Sequence, residues 1–169
     1  IRPSEVKLAV FLDEDPLEPQ PEIVWSRDGD QWVYQIEGLP KYNEAFEEAV
    51  YTVMEEETPG YDQTADHPVK DRDGNLVQNF TNTLKTVPFP VQKIWEDQED
   101  AWGLRPDEVT IRLLRQVDGG EIERVWELPD MVLSAGTHWN YTYSLLPQTD
   151  SQGRIYTYRI QEDLPQGTQ

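Results

Sequence analysis

An internal duplication of the sequence constrains the fold more than any other feature. Three segments recur in the same order, and the matched pairs are 2–11 with 105–114, 32–40 with 139–147, and 51–60 with 158–167. The first pair is offset by 103 residues (105 − 2), and the other two are offset by 107 (139 − 32 and 158 − 51). A change of four residues fits one loop insertion, so the chain is expected to contain two copies of one module.

Within each module, apolar residues alternate over short stretches that are separated by Pro and Gly turns. The predicted strands are 5–12, 23–25, 32–36, 50–56 and 76–83 in the first module, and 89–95, 109–114, 122–128, 139–143 and 156–162 in the second. Residues 13–21 hold three prolines and four acids and are expected to be irregular, and residues 42–49 are expected to form a loop or single turn. Many short strands without a long helix predict an all-β protein of two tandem antiparallel β-sandwiches, Ig-like or prealbumin-like, covering residues 1–84 and 85–169.

Composition narrows the possible partners. The net charge of −19 argues against nucleic acid or an anionic membrane surface, because phosphates would be repelled. No apolar run reaches transmembrane length, so no membrane insertion is expected in this segment. The chain has no Cys, which excludes disulfides, thiolate metal sites and a Cys nucleophile.

The stretch between the modules places one polar residue on each of two apolar strand faces. A period of two puts Asn82 on the same face as Phe80, and Lys93 on the same face as Val91 and Trp95. A buried amide or ammonium is costly unless it is paired, so each of these residues should have a partner.

The two modules are incomplete in opposite ways. The first has no counterpart of the strand that carries Lys93, and the second has no counterpart of the strand that carries Asn82. Both have a Glu at the same position of a late strand, Glu55 and Glu162 (162 − 55 = 107). The chain is therefore expected either to be cut from a longer array of repeats or to have its missing strands disordered. A whole repeat would hold Lys93-type, Glu55-type and Asn82-type strands in that order.

Five short motifs of this sequence together resemble those of a known family. The chain contains V-x-K-x-W-x-D, R-P-x-x-V, W-x-Y-x-x-x-x-L-P, Y-x-V-x-E and F-T-N-T, and it resembles the Cna B-type domain of Gram-positive surface adhesins and pilins. The resemblance implies an intramolecular isopeptide bond between a strand Lys and a last-strand Asn, promoted by a buried Glu. It implies that Lys93 is the amine, Asn82 the amide acceptor, and Glu55 and Glu162 the catalytic acids.

The chemistry is reasonable for these residue types. An apolar core favours the neutral amine, which is nucleophilic, and the protonated carboxylic acid, which can polarise an amide and pass a proton to departing ammonia. Because Lys93 and Asn82 belong to different predicted cores, no bond between these two is expected within this chain. The alternative interpretation is that Lys93 extends to solvent, Asn82 caps a backbone group, and both glutamates are solvated.

Two classes of function follow. The first is a structural stalk repeat of an extracellular, cell-wall-anchored surface protein, which contacts neighbouring repeats and leaves host matrix proteins or glycans to other domains. The alternative is an extracellular module that itself binds a carbohydrate or host matrix protein.

Catalysis on external substrates is not expected. No phosphate-binding Gly-rich loop or nucleophile elbow occurs, so no enzyme and no cofactor are predicted. The acidic run Asp71–Asn75 lacks the downstream Glu of a calcium loop and predicts a hairpin turn rather than a metal site.

Overall fold

The fold is all-β. The structure, a computed structural model, describes residues 2–163. The last part of the third repeated segment, 164–167, therefore lies outside the described residues. The described chain divides into two compact units: residues 3–58 with 63–83, and residues 2 and 59–62 with the stretch from 84 onward. The boundary between residues 84 and 85 stays a prediction.

The first half of the chain forms nine strands. They are β1 (Leu8–Leu12), β2 (Asp15–Pro16), β3 (Val24–Asp28), β4 (Gln31–Gln35), β5 (Tyr51–Glu55), β6 (Tyr61–Ala65), β7 (Val69–Lys70), β8 (Leu76–Val77) and β9 (Phe80–Leu84). Their sheets are β2-β1-β5, β3-β4, β6-β9 and β7-β8. The core of this unit is small, with Val10, Ala49 and Tyr51 buried and Ile36 and Val53 packed against them.

Between residues 85 and 163, the second half forms six strands and one short 3-10 helix. They are β10 (Thr86–Gln92), β11 (Glu108–Val117), β12 (Ile122–Arg124), β13 (Met131–Ser134), the helix Ala135–Thr137, β14 (Asn140–Pro147) and β15 (Tyr156–Asp163). One sheet pairs β11 with β12, β13 and β15, and the other pairs β10 with β14. Val109, Ile111 and Leu113 of β11 are buried with Tyr143 and Leu146 of β14, so the core lies between the two sheets of a sandwich.

The structure departs from the predicted elements in several places: β6 and β7 were not predicted, residues 76–83 form two strands rather than one, and the predicted strand 122–128 ends at Arg124. The Pro-rich loop 13–21 was expected to be irregular throughout, but Asp15–Pro16 pairs with β1. Two residues are enough to provide antiparallel partners for Phe11 and Leu12. Met131–Ser134 was not predicted as a strand, yet it pairs with the start of β11. Within the part of the chain that the structure describes, no helix is long and apolar enough to cross a membrane.

The duplication extends to single hydrogen bonds. The backbone amides of Ala45 and Glu47 donate to Oδ1 of Asn43, both at 3.0 Å. At a constant offset of 107 (150 − 43), the amides of Gln152 and Arg154 donate to Oδ1 of Asp150, both at 2.9 Å. Isolated bridges Tyr42–Glu48 and Thr149–Ile155 close the two turns at the same offset. An Asx turn of this kind is favoured by a short side-chain acceptor, and both copies have kept one.

Two glutamine side chains bond the outward-facing backbone groups of the paired strands β1 and β5. Val10 and Val53 face each other across the two strands. The amide of Gln20 accepts from the Val10 N–H at 2.8 Å and donates to its C=O at 3.0 Å. On the other edge, Gln78 accepts from the Val53 N–H at 3.0 Å and donates to its C=O at 3.1 Å. Each side chain satisfies backbone groups that a further strand would otherwise have to satisfy.

Candidate functional site

In the first unit, Glu55 and Asn82 are hydrogen-bonded to each other. Glu55 is the last residue of β5, and Asn82 lies in the middle of β9 on the half-buried face. Nδ2 of Asn82 donates to Oε1 of Glu55 at 2.6 Å. Oε2 of Glu55 and Oδ1 of Asn82 are buried and have no partner within the described residues. Such orphaned atoms are costly, so the pair is ready to accept a further donor.

Two neighbouring residues hold Glu55 in place. The hydroxyl of Thr58, a buried residue, donates to Oε1 of Glu55 at 3.4 Å. Nε2 of Gln63 donates to the carbonyl of Glu56 at 3.0 Å and contacts Oγ1 of Thr58 at 3.5 Å. Sequence analysis indicated neither role, because Thr58 lies outside any strand and Gln63 lies in β6, a strand that was not predicted.

In the second unit, Lys93 forms an ion pair with Glu162. Nζ of Lys93 lies 2.9 Å from Oε1 and 3.2 Å from Oε2 of Glu162. Lys93 follows the end of β10, and its backbone amide donates to the Trp139 carbonyl at 2.8 Å, which continues the pairing of β10 with β14. Glu162 pairs with the buried Ile111 of β11 and has the same orientation as Ile160, as its alternation predicts.

Glu162 is less buried than expected. Glu55 is half-buried, but the side chains of Lys93 and Glu162 are 24% and 32% exposed, and Glu162 as a whole is an exposed residue. Among the described strands, β10 pairs with β14 alone, so its other edge is open beside the ion pair. The prediction that Glu162 is largely buried is therefore wrong for this chain.

Trp95 forms an aromatic wall beside Lys93. Nζ of Lys93 lies 4.5 Å from the centroid of the Trp95 ring, and Trp95 packs edge-on against Trp139 with centroids 5.1 Å apart. Its Nε1 is buried without a partner in the described chain. The sequence predicts that Trp95 lies on the same strand face as Lys93, because the two residues are two positions apart. It does not predict the contact between the ammonium group and the indole ring.

The four predicted residues thus form two separate pairs. Asn82 contacts Glu55 in one unit, and Lys93 contacts Glu162 in the other. The alternative in which Asn82 caps a backbone group and Glu55 is solvated does not account for their hydrogen bond or for the buried oxygens of this pair. Their roles in bond formation stay a prediction.

In both units the strand that carries the glutamate is held by a hydrogen bond from a tyrosine hydroxyl to a proline carbonyl, called here the tyrosine latch. Tyr51 donates its hydroxyl to the Pro40 carbonyl at 2.8 Å, and Tyr158 donates to the Pro147 carbonyl at 2.6 Å. Burial raises the pKa of Tyr158 to about 12, and burial followed by the charge of Asp13 raises the pKa of Tyr51. Each tyrosine lies four residues before its glutamate, so the latch fixes the strand that carries the acid.

No candidate metal centre occurs within residues 2–163. The acidic run at Asp71 is a hairpin turn, as predicted: Oδ1 of Asp71 accepts from the amides of Asp73 and Asn75, both at 2.9 Å. The flanking strands β7 and β8 pair with each other. The side-chain and backbone bonds from Asn75 hold the pKa of Asp71 below its usual range.

Comparison with known proteins yields several matches. The Cna protein B-type domain profile matches twice, over residues 1–83 and 89–168. The collagen adhesin of Staphylococcus aureus is 27% identical over 125 residues, which is 74% of this chain and 10% of the adhesin. The chain thus spans about a tenth of that relative's length.

Two solved structures are also similar. Two B repeat units of the collagen binding protein Cna of S. aureus share 22% identity at a TM-score of 0.45, covering 97% of this chain and 40% of that one. The pilus adhesin SpaC of Lactobacillus rhamnosus GG shares 13% identity at a TM-score of 0.38, covering 94% of this chain and 20% of that one.

Proposed function

Because this chain belongs to the Cna protein B-type domain family, whose repeats are structural adhesin domains rather than enzymes, we propose that it is a pair of stalk repeats of an extracellular surface adhesin or pilin-like protein. In this proposal the parent protein is anchored to the cell wall. Its stalk repeats hold other domains, which contact a host matrix protein or glycan, away from the cell. Each repeat is stiffened by one Lys–Asn isopeptide bond that the repeat forms itself.

The contact between Glu55 and Asn82 supports the chemistry most directly. The carboxyl of Glu55 is hydrogen-bonded to the amide nitrogen that would leave, at 2.6 Å. Of the two orphaned oxygens beside it, Oε2 of Glu55 is free to accept the proton of an attacking amine, and Oδ1 of Asn82 belongs to the carbonyl whose carbon the amine would attack. A structural role alone would not require a carboxyl and a carboxamide to leave two polar atoms unsatisfied in the same place.

The proposed reaction balances without any cofactor. The neutral amine of a lysine attacks Cγ of the asparagine, and a new C–N bond forms while the bond from Cγ to Nδ2 breaks. The glutamic acid passes a proton to the departing nitrogen and receives one from the attacking amine, so one ammonia leaves for each bond. Fixing both groups in a rigid core can supply roughly 7–11 kcal/mol of the barrier.

Lys93 and Glu162 are the complementary part of the same arrangement. Their ion pair holds the amine beside the acid at 2.9 Å, on the open edge of β10. Docking the Asn-bearing last strand of the same repeat, the counterpart of Phe80–Leu84 in the first, against that edge would exclude water from the pair. Loss of water favours the neutral amine and neutral acid over the ion pair, which is the state that the reaction needs.

Intact-mass measurement tests the proposal. A longer segment of the parent polypeptide, in which Lys93 faces an Asn-bearing strand of its own repeat, should be lighter than its sequence by one ammonia per repeat. Glu162→Gln should restore the full mass of that repeat, while the neighbouring change Asp163→Asn should not. A full mass in unsubstituted complete repeats would contradict the crosslink and leave the stalk assignment standing on the family alone.

A further inference from the structure

The loop between β10 and β11 surrounds a cavity of about 310 Å³. Its apolar wall is formed by Trp95, Trp102 and Leu104, and its polar wall includes Glu96 and Asp100. Trp102 and Leu104 are 80% and 75% exposed. The chain therefore presents two aromatic rings and the carboxylates of Glu96 and Asp100 around one concave site, apart from the Lys93–Glu162 pair.

Internal hydrogen bonds fix the shape of this loop. Nε and Nη2 of Arg105 donate to the two carboxylate oxygens of Asp97 at 2.8 and 2.5 Å. The amide of Asp100 donates to Oδ1 of Asp97 at 3.2 Å, and the amide of Arg105 donates to Oδ1 of Asp100 at 2.9 Å. The cavity is thus formed before any ligand arrives, which lowers the entropic cost of binding.

The charges around the cavity are unbalanced. Arg105 neutralises Asp97, but Glu96 and Asp100 form no ion pair within residues 2–163. The local field is negative: hydrogen bonding to Asp97, together with the charges of Asp97, Asp100 and Glu99, raises the pKa of Arg105 although burial opposes the shift. A cation entering the cavity would meet two carboxylates whose charge is not yet compensated.

The aromatic wall also favours a cation. Trp95 already attracts two, with Nζ of Lys93 at 4.5 Å and Cζ of Arg105 at 5.5 Å from its ring centroid. In the described chain no cation lies over Trp102, although it is the more exposed ring of the two. The face of an exposed tryptophan is the best cation–π acceptor among side chains.

We propose that this cavity binds an arginine side chain of a partner polypeptide, stacked on Trp102 and paired with Glu96 and Asp100. The planar guanidinium fits because it can stack on an indole and donate to two carboxylates at once. The net charge of −19 favours a basic partner segment over an acidic or neutral one. This site would give a stalk repeat a contact of its own, which the proposed stalk function does not include.

Titration of the full 169-residue chain with a short peptide tests the proposal directly. The peptide, acetyl-Gly-Ser-Arg-Ser-Gly-amide, should shift the indole N–H resonances of Trp102 and Trp95 in a saturable way. The same peptide with citrulline in place of arginine keeps the shape but removes the charge, and it should not bind measurably. The shifts of the arginine peptide should weaken as salt rises, because the contact is charge-assisted.

Variants separate the site from general attraction to an acidic protein. Trp102→Ala should weaken binding roughly two- to fivefold, as expected for one exposed cation–π contact. Glu96→Gln with Asp100→Asn should weaken it by at least a similar factor, and the carboxamide oxygen that the second change introduces can still accept the Arg105 amide. The matched controls Trp126→Ala, which removes a tryptophan that is 76% exposed elsewhere, and Glu121→Gln should leave the affinity unchanged.

Four results would overturn the proposal. Equal binding of the citrulline peptide would show that charge is not recognised. Unchanged affinity in Trp102→Ala, with thermal unfolding confirming a folded chain, would show that the ring is not used. Shifts spread evenly over the acidic surface, or shifts at Trp102 caused by neutral sugars and not by the arginine peptide, would assign the ligand to another class.

Discussion

Phe46 occupies, at a φ of 59°, the turn position that Gly153 occupies at 79° in the second repeat. The two positions are related by the same offset (153 − 46 = 107), and both amides donate to the residue that opens the Asx turn, at 3.0 and 3.2 Å. A positive φ suits glycine and strains a bulky L-residue. Phe46 is 90% exposed, so little packing offsets that strain.

Phe46→Gly should therefore stabilise the first unit, by roughly 1 kcal/mol. Relief of the left-handed strain is expected to exceed the entropic cost of a more flexible unfolded chain. Urea unfolding measures the change. The control Ala45→Gly, one residue earlier in the same turn and without a positive φ, should destabilise instead; a loss of stability in both variants would contradict the strain argument.

Tyr158→Phe should destabilise the second unit by about 1 kcal/mol. The change removes the hydroxyl that donates to the Pro147 carbonyl at 2.6 Å and leaves that acceptor without its protein donor. Tyr156→Phe keeps the ring under Arg115 and removes a hydroxyl for which no hydrogen bond is seen in the described chain, so it is the matched control. Equal losses from the two variants would show that the latch adds no stability.

The same tyrosine makes stability depend on pH in alkali. Because the folded pKa of Tyr158 is raised to about 12 and the unfolded value is near 10, its contribution is complete below about pH 10 and is lost as pH rises towards 12. Unfolding free energies across that window should fall less steeply in Tyr158→Phe than in the unsubstituted chain. Phenolate absorbance should show one late-titrating tyrosine fewer, and an unchanged slope would contradict the assignment.

Gln78→Ala should cost roughly 1–2 kcal/mol of stability. It removes two hydrogen bonds to the backbone of Val53, at 3.0 and 3.1 Å, in a partly buried position. Gln35 bonds only the exposed carboxylate of Glu37 through its side chain in the described structure, so Gln35→Ala should change stability little. Chemical denaturation of both variants decides between a specific backbone contact and a general effect of losing glutamine.

Lys93→Met should change the stability of this chain by about 1 kcal/mol or less. Partly exposed ion pairs contribute little, and methionine retains much of the packing against Trp95. Lys85→Met, which removes a longer and more exposed pair to Asp62, is the control. A loss of several kcal/mol in Lys93→Met would show that the lysine is kept for folding and would weaken the case for a chemical role.

Sequence periodicity predicted the architecture because the buried strands alternate strictly. In β11, Val109, Ile111 and Leu113 are buried and the residues between them are not, so the pattern of two was visible without coordinates. The same regularity placed Glu55 and Glu162 on core-facing positions. Where the local pattern was weak, the match between the two copies still identified which residues of one copy correspond to which residues of the other.

The sequence failed where the structure depends on contacts rather than on alternation. β13 is short, and its burial comes largely from Leu133, so no period could be recognised. The exposure of Glu162 depends on what covers β10, which the local sequence does not encode. The role of Thr58 comes from one hydrogen bond to Glu55, and that of Gln78 from two bonds to Val53, 25 residues away in the sequence.

The glutamines at the two edges of β1–β5 affect how copies of the protein behave at high concentration. An exposed sheet edge is a template on which other chains can add strands and aggregate. At Val10 and Val53 the backbone donors and acceptors of both edges are already engaged by Gln20 and Gln78. A strand approaching from a neighbouring molecule would have to displace an amide from its own chain, so this part of the surface resists intermolecular β-pairing even when many copies are crowded side by side.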